Sequence, residues 1–185
     1  MTLRFVVLTR GVQLHFCSVG GENGGVVGPE MNQTSHQFEL RVRYSETDQM
    51  GTFYNSRALE WFECGRTEFM RHKLGLPYAT VERRGVLLPL VEAHLEFQGG
   101  ARYDDLLSVT TTAQLAGRAR LRFDVQIHQS EGGQPVVRGY TVHAFTDSKA
   151  KVIKPPPWFL DRLQAAASGS RNEPASSAPN GVSWG

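Results

Sequence analysis

The arrangement in this sequence best suited to chemistry is a carboxylate in a polar loop just ahead of an amphipathic helix. Asp48 sits in the run Tyr44-Ser-Glu-Thr-Asp48-Gln-Met-Gly51, and Asn55 or Ser56 follows as the natural N-cap of the helix. The free amides of a helix N-terminus carry about half a positive charge. A carboxylate held beside them can activate water or attack a carbonyl carbon. The same amides can receive an oxyanion, each such donor being worth roughly 3 kcal/mol in a transition state. Gly51 lies three residues after Asp48 and permits a sharp turn. Tyr54 can donate to a ligand, line its pocket or simply pack. Taken on these residues alone, Asp48 reads first as a turn residue, a standard place for Asp.

Other candidates carry weaker signals. Glu63 and Arg66 are three apart on the helix and can pair along it as a solvated or interface ion pair. Arg118, Arg120 and Arg122 line one side of a strand, and Lys149, Lys151 and Lys154 cluster later in the chain. Either group suits an anionic ligand, although basic strand faces are commonly just solvated. His94 and His143 have no partner at metal-ligand spacing and read as strand-surface residues, so no metal site is expected. Cys64, in the apolar helix, reads as packing. The glycines at 20, 21, 24 and 25 lack the Gly-Lys-Ser/Thr that a phosphate loop requires.

The elements that must position these groups are legible from periodicity. Residues 36–44 alternate, with Phe38, Leu40, Val42 and Tyr44 on one face, as in a half-buried strand. Residues 56–74 recur at helical spacing through Ala58, Phe62, Gly65 and Phe69, and Leu74-Gly75-Leu76-Pro77 is a strong stop. The remainder reads as β: residues 86–98, bent near Pro89, then 106–116, 118–129 and 136–146. A Gly-rich turn at 130–135 separates the last two. Pro155-Pro-Pro157 ends the sheet, and 158–166 reads as a short helix. The pattern predicts an α+β fold, an antiparallel sheet covered by one long helix. Homodimerisation that extends the sheet is one remedy for its open edges.

The block Arg43-Tyr-Ser-Glu-Thr-Asp48-Gln-Met-Gly51-Thr-Phe-Tyr-Asn55-Ser-Arg-Ala-Leu-Glu60-Trp-Phe-Glu63-Cys-Gly-Arg66 resembles the signature of hotdog-fold acyl-CoA thioesterases of the 4-hydroxybenzoyl-CoA thioesterase type. The similarity extends over residues 37–163. It implies a hotdog fold, with the sheet wrapped around one central helix, and hydrolysis of an acyl-CoA to a free acid and coenzyme A. It also implies Asp48 as catalytic carboxylate, with Glu63, at the place of a helix Glu catalytic in other branches, as the alternative, and the Asn55 amide as the group that polarises the thioester carbonyl. Gly51, Tyr54, Arg120 and Arg122 become candidates for binding substrate, the two arginines for the phosphates of coenzyme A. Thr52 and Ala58 depart from the His and the aromatic residue common at those places. A homodimer or dimer of dimers is implied, with acyl carrier protein as an alternative bearer of the acyl group. No cofactor is implied. The rival reading is a non-catalytic module that binds acyl-CoA or acyl carrier protein.

Composition narrows the classes. The 185 residues carry a formal charge of only +2, without the concentrated basic face of a nucleic-acid binder. No apolar run reaches the ~18 residues of a membrane span. Two cysteines, Cys17 and Cys64, make no disulfide framework, so the expected location is the cytoplasm. The expected organisation is a leader over residues 1–35, disordered or lying upstream of a true start at Met31, then a domain over 36–166 and a disordered tail over 167–185.

Overall fold

The structure, a computed structural model, describes residues 2–6 and 34–168. Six strands form one antiparallel sheet: β1 (Thr2–Val6), β2 (Ser35–Arg41), β3 (Leu90–Phe97), β4 (Leu106–Leu115), β5 (Arg120–Gln129) and β6 (Pro135–Ala144). Their order across the sheet is β1-β3-β6-β5-β4-β2. Helix α1 (Arg57–His72) follows β2, a short α2 (Tyr78–Arg83) follows it, and α3 (Pro157–Ala167) closes the described chain. The α+β arrangement expected from the sequence is the one observed. Most of the expected leader lies outside the described residues, as does the tail beyond residue 168. Within the span of the expected leader, Thr2–Val6 pairs with β3 from Thr2↔Glu96 to Val6↔Glu92.

Alternation builds the core. Phe38, Val109 and Ile127 lie in successive registered pairs across β2, β4 and β5, so they share the face turned toward α1. Against that face α1 buries Ala58, Trp61, Phe62, Gly65, Phe69 and Met70. Burying each of the two phenylalanines contributes about 2 kcal/mol. Gly65 lets the helix approach β4 closely, for a Cβ there would lie 2.5 Å from Thr111 Oγ1 and 3.2 Å from Val109 Cγ1. The helix ends as its stop motif demands. Gly75 takes a φ of +61°, and the Leu76 amide donates back to the Met70 carbonyl.

Several expectations change in detail. β2 ends at Arg41, and the chain turns through a 3-10 segment, Tyr44–Glu46, so Tyr44 leaves the buried face and is 78% exposed. The bend near Pro89 is real: Leu87 pairs with Thr146, β3 starts at Leu90, and the register with β6 shifts between Leu90 and Glu92. His143, expected at the surface, is buried. It shares a face with Leu121, donates from Nδ1 to Leu88 O, pairs through Nε2 with Thr141 Oγ1, and meets the Phe123 ring. Burial, together with the nearby Arg66 charge, pushes its imidazole down to about 4. Cys64, expected to pack, is exposed. Desolvation and the adjacent Glu63 hold its thiol above the ordinary value, so it is a poor source of thiolate.

Candidate active site

Between β2 and α1 the chain makes a small hairpin. Thr47 bridges Phe53, the Asp48 amide donates to Thr52 O at 2.9 Å, and the Tyr54 amide donates to Glu46 O at 2.8 Å. At the tip the Gly51 amide donates to Asp48 O, and Gly51 takes a φ of +72°. A side chain there would meet nothing within 4 Å, so glycine serves the backbone conformation rather than space. Asp48 caps the turn: its Oδ1 accepts from the Met50 amide at 2.8 Å. The turn role and a reactive role are therefore compatible, because one carboxylate oxygen fixes the group and the other has no such bond.

Two anchors hold this hairpin. Thr52 Oγ1 both donates to Ala101 O and accepts from the Ala101 amide, and the Phe53 amide donates to the same carbonyl. Thr52, the departure noted above, thus fastens the tip to the loop between β3 and β4. The second anchor is Glu46, which sequence reasoning passed over. It is only 3% exposed and accepts from the Arg43 amide (2.7 Å), Arg43 Nη2 (2.9 Å) and Trp61 Nε1 (3.2 Å). Burial alone would raise its carboxyl, but the bonds from Arg43 and Trp61 outweigh it and hold the group below the ordinary carboxylate value. Trp61 lies on the buried face of α1, so this bond ties the loop to the helix.

The helix start has an unusual distribution of donors. Ser56 occupies the N-cap position, yet neither it nor Asn55 makes a side-chain cap. The amides of Arg57, Ala58 and Leu59 turn back onto the carbonyls of Tyr54, Asn55 and Ser56. Among the described residues nothing accepts from the amides of Asn55 and Ser56. These two donors are left for a ligand or for water, one residue beyond the hairpin that carries Asp48. Around them Tyr44, Met50, Tyr54 and Tyr103 are exposed, with Tyr44 and Tyr103 in edge contact at 5.6 Å.

The other expected site residues fall elsewhere. Glu63 points to solvent and pairs at 3.7 Å with Arg66, whose guanidinium is nearly buried and lies over the Tyr78 ring. Arg122 is held by Asp124 and by the Tyr140 ring beneath it, on the sheet face turned away from α1. Arg120 starts β5 and pairs with Ala144, whereas Gln129 at the other end of that strand donates to Gly100 O, beside the Asp48 hairpin. About 30 Å of strand separates these ends. Within one protomer the structure does not bring Arg120 or Arg122 to Asp48. Lys149, Lys151 and Lys154 are exposed around the Asp147 turn.

Residues 42–163 match the model of the thioesterase-like superfamily. The Bacillus subtilis protein YneP is 40% identical over 73 residues, 40% of this chain and 52% of that protein. A 1,4-dihydroxy-2-naphthoyl-CoA hydrolase of Synechococcus elongatus is 29% identical over 134 residues, 71% of this chain and 97% of the enzyme. The crystal structure of Slr0204, a 1,4-dihydroxy-2-naphthoyl-CoA thioesterase from Synechocystis, superposes with a TM-score of 0.65 at 25% identity, covering 74% of this chain and 97% of that one.

Proposed function

Because the chain belongs to the thioesterase-like superfamily, we propose that it hydrolyses an acyl-CoA thioester at the Asp48 hairpin, releasing a free carboxylic acid and coenzyme A. The observation that carries the site is the pairing of an anchored carboxylate with two unspent amides. Asp48 is fixed by the Met50 amide, and Asn55 and Ser56 offer donors at the start of α1. The substrate carbonyl accepts from the Asn55 amide, which strengthens its hold as negative charge develops on that oxygen. Asp48 then acts in one of two ways. As general base it takes a proton from water while the water oxygen adds to the carbonyl carbon. As nucleophile it forms a mixed anhydride that water cleaves afterwards. In both routes the C–S bond breaks and the departing thiolate is protonated.

Tyr54, Met50 and Gly51 line the mouth of this site, and Tyr44 and Tyr103 extend its apolar rim. A second copy of the chain, as homodimer or dimer of dimers, closes that rim and supplies the basic side chains for the coenzyme phosphates. Arg120 and Arg122 of the partner are the residues we assign to that task, since those of the same protomer are remote. The chemistry suits a cytoplasmic enzyme acting on acyl-CoA, with acyl carrier protein as the alternative carrier. Asp48→Asn keeps the turn, because the amide oxygen still accepts from Met50, and removes the basic carboxylate. Thiol release from a panel of acyl-CoA substrates should fall by at least ~100-fold in that variant, the scale of acid–base catalysis. Turnover near wild type would overturn the assignment. Single-turnover hydrolysis in oxygen-18 water identifies the nucleophile route by label in Asp48, which enters when water cleaves the anhydride at the Asp48 Cγ.

A further inference from the structure

At the other end of α1 three potential ligands converge that the hydrolytic reading does not use. His36 enters from β2, where it pairs with Thr111, and Glu68 and His72 sit four residues apart on the last turns of α1. Among the described residues this is the cluster whose ligand atoms all fall within 4.8 Å of one another. Glu68 Oε2 lies 3.1 Å from His72 Nε2, and the His36 and His72 rings stack with centroids 5.1 Å apart. We propose that His36, Glu68 and His72 form a binding site for a divalent transition-metal ion, zinc being the natural occupant.

The donor set argues for that class of ion. Two imidazoles and one carboxylate suit zinc and its neighbours, and three protein ligands leave a fourth position to water. Tetrahedral ligands at ordinary zinc distances stand about 3.3 Å apart. Glu68 and His72 already have that spacing. His36 closes to it by side-chain rotation, which the half-exposed His72 can match. The other oxygen of Glu68 accepts from Arg71, which orients the carboxylate as outer-shell partners do. With Arg71 and Lys73 close by, the net charge does not draw a cation. The imidazoles must hold it, which disfavours hard ions such as magnesium or calcium.

The position assigns a structural role. His72 lies about 22 Å along the helix from Arg57, so the ion would clasp β2, at the sheet edge, to the end of α1 opposite the hairpin. The test uses tagless full-length protein stripped with chelator and titrated with Co²⁺, whose tetrahedral sites absorb strongly in the visible. One equivalent per chain should bind, be displaced by Zn²⁺, and raise the unfolding midpoint with ion concentration. His72→Gln alters an exposed side chain and keeps the fold. It should weaken binding by more than the ~10–100-fold that follows loss of an outer-shell partner. His36→Gln, checked for native circular dichroism, should do the same. Failure of wild type to bind one equivalent, or equal binding by folded His72→Gln, would overturn the proposal, whatever the outcome for Asp48.

Discussion

Replacing Glu46 by Gln isolates the tether between the Asp48 hairpin and α1. The substitution is nearly isosteric, but the carboxylate accepts three bonds and an amide group cannot accept all of them. If the amide oxygen keeps Trp61 Nε1 and Arg43 Nη2, the new NH₂ faces the Arg43 amide, which now donates across 2.7 Å. A charge-assisted bond is lost, and two donors confront each other in a site only 3% exposed. The Arg43 guanidinium is largely in solvent, so its ion pair adds little. Losing the charged bond and leaving a donor unsatisfied costs about 3 kcal/mol. For a domain of this size that lowers the melting temperature by roughly 10 °C.

The pH dependence gives the sharper reading. Because the folded chain holds Glu46 below its ordinary value, its contribution is complete above the unfolded pKa of about 4.3. It is lost as pH falls through the lowered folded value. Melting curves of wild type and Glu46→Gln, recorded from about pH 7 down to about pH 3, should therefore be far apart at neutrality and converge in acid. A gap below about 2 °C at neutrality, or one of constant size across the series, would refute the argument.

Two further perturbations follow from the packing. Gly65→Ala sets a methyl against Thr111 Oγ1 and should cost about 1–3 kcal/mol by urea unfolding. Pairing it with Thr111→Ala should recover part of that loss, and simple additivity would speak against the contact. His143 stays neutral when folded down to about pH 4, while the unfolded chain takes up the proton near pH 6.5. Stability should thus fall as pH drops through this window, by up to about 3 kcal/mol from this group, and His143→Asn should flatten the slope.

The sequence makes the larger architecture legible because periodicity is strong where one face is buried. The apolar recurrence of α1 and the alternation of β5 place both elements within one or two residues. The misses have local causes. In β6 the inward face runs Val137, Gly139, Thr141 and His143, and with a glycine and two polar residues in it the burial of His143 carries no apolar signal. At Tyr44 the alternation continues after the backbone has left the sheet. Helix α2 is six residues long and follows a proline, too short for a period to show. Glu46 gives no signal at all: it is one acid in a polar loop, and Trp61, the partner that explains its burial, lies 15 residues away. Asp48 was visible through its neighbours in the family block, whereas the unspent amides of Asn55 and Ser56 emerge only from tracing where each donor goes.

The pairing of Thr2–Val6 with β3 constrains how copies of this chain can combine. The β3 edge already has a strand on it, so a second copy that continues the sheet there must first displace the chain's own β1. A copy that adds beside β2 meets no such competitor among the described residues. Since the pairing on β3 runs through the backbone, indifferent to which molecule supplies it, the same segment could pair with its own sheet or be traded between two copies. Deleting residues 1–30 would remove that competition, and the association constant would report which edge the copies use.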